Sequence, residues 1–281
     1  MLNIEDIKKT LREEDLKVLK GLGQNFLVDE KVLEDIVAAA DLGPEDIVVE
    51  VGPGMGTLSF ALAEKCKKVV AIEKDRKMSK VLRKEILEKL GEKANVEILS
   101  DDILKINLSE FLATRGIEKY KLVSNIPYYI TSPIIKLFLE AEIQPESIVL
   151  LMQKEVAERI CAEKGGLSVL ALSVLLYGEP EMVRTVSHEA FYPAPKVDST
   201  VLKISNISKK YSVSDYQKIF RIIKIGFSSK RKRLVNNLSA GIGIGKEEIE
   251  KVLMDCGVDK NARAQELEVA DWVKLKDSSL I

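Results

Sequence analysis

The sequence predicts an α/β fold: a seven-stranded, mostly parallel sheet with an antiparallel hairpin at one edge, followed by a small all-helical domain. Three observations carry this. Between residues 28 and 204, short β-branched runs alternate with helical patterns, as in a sheet covered on both faces. The last two runs of that stretch are joined by a short segment holding Pro193 and Pro195, which suits a hairpin better than a crossover helix. After Ile204 the composition changes, and no further run reads as a strand.

In chain order, the 3.6-residue period predicts a first helix over 30–40, and Val48-Val49 lies at the heart of a first strand over 47–51. A helix over 58–64 follows a glycine-rich turn. Val69-Val70-Ala71-Ile72 and Val96-Glu97-Ile98-Leu99 are strands on either side of a helix over 77–90. Further strands are expected over 122–124, 148–152, 182–186 and 200–204, with helices over 133–140, 155–162 and 167–177 between them. Seven strands with that ending resemble the sheet of a class I (Rossmann-like) methyltransferase. Residues 205–214 are polar and loop-like, and helical patterns follow over 215–227, 231–238, 246–256 and 267–275. The expected domains are therefore an N-terminal segment over 1–27, the sheet domain over 28–204 and a helical domain over 205–281.

Composition bounds the function. The 281 residues carry 43 Lys plus Arg against 44 Asp plus Glu, a net charge of −1, with 46% hydrophobic residues. This excludes a disordered tail, a collagen and a small disulfide scaffold. Cys66, Cys161 and Cys256 are widely spaced and odd in number, which reads as reduced thiols with no zinc site. The charges from Glu5 to Asp15 are too dense for a signal peptide, and the longest near-apolar stretch, 167–177, is broken by Ser168 and Ser173. A soluble, cytoplasmic protein is expected. His188 is the only histidine, so neither a His-based metal cluster nor a Ser-His-Asp triad is available, and no metal is expected.

Gly52-Pro53-Gly54-Met55-Gly56 places three glycines at every second position, after a strand and before a helix. Glycine there lets backbone approach a ligand and adopt positive φ. A dinucleotide loop would be G-x-G-x-x-G. Here the third glycine comes one residue early and Glu50 precedes the loop by two, which is similar to the S-adenosylmethionine loop of methyltransferases; a purely structural turn is the alternative. Gly241, Gly243 and Gly245 repeat the spacing without a preceding strand and read as a helix-to-helix connection. Glu73 closes its strand about 20 residues past the loop, where a carboxylate accepts from both ribose hydroxyls of a bound nucleoside. Asp101 ends the next strand and is placed to accept from an adenine amine, in preference to its neighbour Asp102; for both carboxylates the alternative is a helix N-cap.

Asn125-Ile126-Pro127-Tyr128 ends the fourth strand. The exocyclic amine of a base is a poor nucleophile because its lone pair is delocalised into the ring. Two acceptors, the Asn125 side chain and the Ile126 carbonyl, favour a tetrahedral nitrogen whose lone pair faces a methyl donor. Pro127 fixes the turn and Tyr128 offers a ring on which a base stacks. Asn is neutral and no general base, so orientation supplies most of the catalysis.

These motifs, with Gly23-Gln24-Asn25-Phe26-Leu27 and Ala190-Phe191-Tyr192-Pro193-Ala194-Pro195-Lys196-Val197-Asp198-Ser199, closely resemble the KsgA/RsmA-type ribosomal RNA adenine dimethyltransferases. Met152-Gln153-Lys154-Glu155-Val156-Ala157 and Gly166-Leu167-Ser168-Val169 extend the likeness over nearly the whole chain. The resemblance implies that Gln24, Asn25, Leu27, Gly52, Gly54, Glu73, Asp101 and Asn125 hold S-adenosylmethionine. It implies that Tyr128 and Phe191 sandwich a flipped adenine. The implied activity is dimethylation of the N6 amines of two adjacent adenosines near the 3′ end of small-subunit (16S) rRNA, by a monomer acting on an assembling subunit. Two departures stand out: Gly166 takes the place of the family's usual arginine, and Lys20-Gly21-Leu22-Gly23 is less basic than the usual start.

The near-zero net charge hides a local excess. From Lys218 to Gly245 the chain carries Lys218, Arg221, Lys224, Lys230, Arg231, Lys232 and Arg233 and no acidic residue. Lys218, Arg221 and Lys224 share one helix face, opposite Ile219, Ile222, Ile223 and Phe227. Such a stripe is expected to contact RNA phosphates. A binding-only ribosome-assembly factor and a nicotinamide oxidoreductase are the competing classes; the glycine spacing and Asn125 to Tyr128 argue against the second.

Overall fold

The computed structural model of the chain describes residues 3–16 and 24–278, and it divides into two compact units. One holds the described residues through Ala157 together with Glu181–Ile207; the other holds Glu158–Pro180 and the described residues from Ser208 onward. The sequence pattern places 158–180 with the sheet, whereas the structure groups this segment with the helices.

The elements run α1 (Ile4–Glu13), β1 (Phe26–Leu27), α2 (Glu30–Ala40), β2 (Ile47–Val51), α3 (Thr57–Ala63), β3 (Lys68–Ile72), α4 (Arg76–Leu90) and β4 (Val96–Leu99). Then come α5 (Leu108–Ala113), β5 (Lys121–Asn125), α6 (Thr131–Glu140), β6 (Ile148–Gln153), α7 (Lys154–Ile160), α8 (Val169–Leu175), β7 (Glu179–Val186), β8 (Phe191–Tyr192) and β9 (Ser199–Ser205). Seven strands form one sheet in the order β4-β3-β2-β5-β6-β9-β7. The pairs β4-β3, β3-β2, β2-β5 and β5-β6 are parallel, with Val49 opposite Val70 and Leu122, while β9 runs antiparallel to β6 with Leu202 opposite Leu150. The strand order reverses between β2 and β5, the position at which open α/β sheets bind ligands outside their carboxyl ends.

The strand residues are apolar on both faces because both faces are covered. Val48, Val69, Ala71, Val123, Val149 and Leu151 pack in one cluster with Leu33 and Ile36 of α2 and Leu58 and Leu62 of α3. The edge strand β7 alternates exposed and shielded residues instead. Side-chain caps fix the helix starts: Asp29 accepts from Val32 N, and Asp75 accepts from Lys77 N and Met78 N at the head of α4.

Three features lie outside the sequence expectation, the first being helix α5 between β4 and β5. The charge-dense start forms α1, held by a capping box between Asn3 and Asp6, and its Ile7 is buried with Leu16, Phe26, Met55, Met78 and Val81. The two-residue strands β1 and β8 pair antiparallel, Phe26 with Tyr192 and Leu27 with Phe191, forming a small second sheet. The departure at Lys20 to Gly23 lies outside the described residues.

In the helical unit, α9 (Val213–Gly226), α10 (Leu234–Ile242), α11 (Lys246–Asp255) and α12 (Val269–Lys276) follow Ser208. Ile219, Ile222, Ile223, Leu234, Val235, Leu238, Trp272 and Leu275 form its buried interior. Gly243 ends α10 in the left-handed region at φ +85° and Gly245 precedes α11, so this glycine run is a helix-to-helix connection. Gly166 is exposed in this unit.

Candidate functional site

A cleft of about 1050 Å³, counting its open mouth, lies at the carboxyl ends of β2 to β5. It gathers Gln24, Asn25 and Leu27 from the N-terminal side, Gly52 and Gly54 from the loop, Glu73 and Lys74, Asp101 and Asp102, and Asn125 to Ile130. Gly52, Glu73, Asp101 and Asn125 meet because each lies at or just past the end of a strand of the one parallel array, while Gln24 to Leu27 reach the cleft from outside that array.

The loop needs its glycines. Gly52, Gly54 and Gly56 have φ of +69°, +57° and +84°, a region in which side chains are strained. A Cβ on Gly56 would also lie 2.5 Å from Leu82 Cδ1. The resulting path turns Gly54 N–H onto Glu73 Oε2 at 3.2 Å, while Asp75 N–H donates to Glu73 Oε1 at 2.8 Å. Asp75, not Glu73, caps α4, so the capping alternative for Glu73 falls away.

Glu73 is 7% exposed, and burial pushes its carboxyl above the usual carboxylate range. Glu50, in the same cleft wall, is 1% exposed and accepts from Ser59 Oγ at 2.6 Å. Burial pushes it up to about 8, against a lowering by the Ser59 bond. Sequence reasoning noted Glu50 only as part of the loop pattern; its place inside a covered strand was the available signal.

The two adjacent aspartates divide their roles. Asp101 is exposed and accepts from the N–H of Asp102 at 2.7 Å. The Asp102 side chain is 16% exposed, caps the short 3-10 turn Ile103–Lys105 and pairs with Lys74 Nζ at 3.0 Å. Burial works against its charge, and the Lys74 bond prevails to hold it below the usual range. Both line the cleft, so the preference for Asp101 finds no support in their surroundings.

At the end of β5, Asn125 Nδ2 donates to the Asn25 carbonyl at 3.3 Å, which turns Oδ1 the other way. Ser124 Oγ accepts from Val51 N at 2.7 Å and ties this strand end to the glycine loop. Pro127 leads into the 3-10 turn Tyr128–Ile130. The Tyr128 hydroxyl lies 2.7 Å from Ser199 Oγ at the start of β9, while Tyr129 stands 53% exposed at the cleft. Tyr129 and Ser199 went unnoticed in the sequence as site residues.

Phe191 departs from expectation. It is 3% exposed, pairs with Leu27 and packs in the sheet-face cluster, and it is not among the residues lining the cleft. The reason is local: antiparallel pairing with β1 commits the ring to the apolar interior.

The cations sit in the helical unit. Lys218, Arg221 and Lys224 are exposed along α9, with Ile219, Ile222 and Ile223 buried on the other side. Lys230, Arg231, Lys232 and Arg233 are exposed in the turn before α10, not within the helix expected from 231. Asn237 pins that turn by donating to the carbonyls of Gly226 and Ser229, and Arg233 donates to Asn261 at 2.9 Å. Among the described residues none of the seven joins an ion pair, and no group of His, Cys, Asp or Glu is arranged to hold a metal.

The profile of one family, ribosomal RNA adenine dimethylase, matches residues 16–279. A ribosomal RNA small subunit methyltransferase A of Dehalococcoides mccartyi is 42% identical over 272 residues, covering 95% of this chain and 90% of that protein. One from Clostridium botulinum is 38% identical over 276 residues, covering 96% and 97%. Among solved structures, a dimethyladenosine transferase from Plasmodium falciparum superposes with a TM-score of 0.72 at 28% identity, covering 89% of this chain and 95% of that one. The 23S rRNA methyltransferase ErmE gives 0.71 at 26% identity, covering 90% and 98%.

Proposed function

Because the chain belongs to the ribosomal RNA adenine dimethylase family, we infer that it uses S-adenosylmethionine to dimethylate the N6 amines of two adjacent adenosines near the 3′ end of small-subunit rRNA. The observation that carries this reading is Asn125-Ile126-Pro127-Tyr128 at the end of β5, opening onto a cleft at the point where strand order reverses.

The residues present fit the cofactor. A side chain on Gly54 would crowd the Phe26 ring at 3.3 Å, and the positive φ of Gly52 and Gly54 strains any side chain there, which keeps this rim to bare backbone. Glu73 keeps acceptor capacity for ribose hydroxyls. Asp102, better shielded than Asp101, is the carboxylate we assign to the adenine amine. When bound, the cofactor supplies a methyl group on a sulfonium. Asn125 Oδ1 and the Ile126 carbonyl accept the two N–H bonds of the target amine and aim its lone pair, and the Tyr128 ring supports the base. No side chain here acts as a base; the proton leaves once the methylated amine is cationic. Phe191 contributes to base binding only if it leaves the interior, so its share in the adenine clamp is assigned to a substrate-bound arrangement. The exposed cations of α9 and of the turn before α10 take RNA phosphates. We read the substrate as rRNA in an assembling small subunit and the protein as a cytoplasmic monomer; no helix among the described residues is long and apolar enough to cross a membrane.

Methyl incorporation into small-subunit particles that lack this modification tests the reading. The wild-type chain should transfer methyl groups to rRNA adenines, and Asn125→Ala should lose at least about a hundredfold in rate. In the same preparations, Asp102→Ala should weaken cofactor binding more than Asp101→Ala. Undiminished transfer by Asn125→Ala would remove the assignment.

A further inference from the structure

The transfer chemistry leaves one buried group of the cleft without a task. Glu50 faces the cleft from β2, and among the described residues the Ser59 hydroxyl is its hydrogen-bond donor. The titratable groups that face it are Glu73, at the end of β3, and Cys66, just beyond α3. Glu73 is a second acid, and burial pushes the Cys66 thiol up to about 11, so neither offers a positive charge. Glu73 itself rests on backbone N–H groups and joins no ion pair among the described residues. Two acids thus share a covered wall with neutral hydrogen-bond donors; the cation lining the cleft, Lys74, is paired with Asp102 at 3.0 Å, and the nearby Asp75 adds negative charge. A carboxylate so placed has lost its hydration without gaining a counter-charge, which favours the protonated acid.

Resting on the reading of this cleft as the S-adenosylmethionine site, we propose that Glu50 senses the charge of the ligand. It holds a proton in the ligand-free protein and releases it to solvent when the cationic methyl donor binds. The neutral thioether product leaves it protonated. S-adenosylmethionine carries a sulfonium, an ammonium and a carboxylate, net +1; S-adenosylhomocysteine lacks the sulfonium and is net neutral. Ionisation of Glu50, carboxylic acid to carboxylate plus a proton taken by the buffer, compensates that one extra charge in a covered site. By linkage, the donor then binds better relative to the product as pH rises toward the value at which Glu50 ionises unaided.

Calorimetric titrations at pH 7 in phosphate, HEPES and Tris, buffers of different ionisation enthalpy, read the proton count directly. S-adenosylmethionine should release about one proton per site, and S-adenosylhomocysteine close to none. Sinefungin, whose amine puts a positive charge near the sulfonium position but carries no transferable methyl group, should behave like the donor. Glu50→Gln retains an acceptor for Ser59; it should abolish the release and reduce the preference for donor over product by roughly tenfold. Equal buffer dependence for donor and product in the wild-type chain would overturn the proposal, as would a release that survives in Glu50→Gln. Should the variant not fold, the three ligands on the wild-type chain decide alone. Absence of binding by all three would count against the cofactor assignment itself, a different outcome from binding without proton release.

Discussion

Tyr128 and Ser199 lie 71 residues apart in the chain, yet their hydroxyls meet at 2.7 Å. Burial pushes the Tyr128 phenol up, against a lowering by Ser199, so it remains protonated and able to donate. Ser199 is buried at the start of β9, opposite Gln153 of β6, and its position is therefore set by the sheet. The bond anchors the hydroxyl end of the Tyr128 side chain, and with it the position of the ring that we propose supports the base. Such a hydrogen bond contributes about 1 kcal/mol, or roughly fivefold in rate if it acts only on base orientation. Ser199→Ala and Tyr128→Phe should each lower kcat by about that factor and leave cofactor binding unchanged. The double variant should fall no further than the worse single one. Multiplying losses would show that the two hydroxyls act separately. Asn125 to Tyr128 were legible in the sequence because they are contiguous and follow a clear strand. The Ser199 partner was not, because a bond between distant residues exists only once the sheet has brought two strand ends together.

The same contrast holds for elements. The inner parallel strands β2, β3, β5 and β6 were readable because each has a largely buried, mostly apolar centre within the sheet. The pair β1-β8 has two residues a side, too few for any periodicity, and its formation is what draws Phe191 inward. Helix α1 was hidden by its charge: Ile7 is the buried residue within its span. Charge also misled the reading of α10, since a run of cations continues smoothly into a helical pattern, whereas the helix begins at Leu234. The structure places Lys230 to Lys232 in a turn whose carbonyls at Gly226 and Ser229 are held by Asn237. A pinned turn presents its cations at lower entropic cost than a free loop. Replacing Lys230, Arg231 and Lys232 together by Gln should weaken binding to rRNA and lower the slope of log affinity against log salt by about 0.7 to 0.9 for each phosphate no longer neutralised. A slope equal to that of the wild-type chain would mean that this turn touches no phosphate.

For the molecule as a whole, a net charge of −1 says little about partners, because it sums unlike parts; it says equally little about pH dependence, which individual buried groups control. Asp46, Glu97 and Asp102 are held below the usual carboxylate range: Lys121 and the Gly43 N–H favour the charged form of Asp46, Lys68 and Arg115 that of Glu97, and Lys74 that of Asp102, each prevailing over burial. Their stabilisation is present above the unfolded-state values near 4 and is lost only as pH falls below them. Glu50 works in the opposite sense. Its folded-state value, about 8, lies above the ordinary 4.5, so between those limits the native state binds the extra proton and stability falls as pH rises. Glu73 is shifted in the same direction but is common to wild type and variant, so a comparison with Glu50→Gln cancels it. The expected result is that Glu50→Gln gains stability on the wild-type chain between pH 5 and pH 8, by on the order of a few kcal/mol in chemical denaturation. Well below the ordinary 4.5, where this position is neutral in the folded and unfolded states of both chains, the difference should be constant. A gap that does not change from pH 5 to pH 8 would show that Glu50 ionises at its ordinary value, in contact with water that the folded cleft would have to admit.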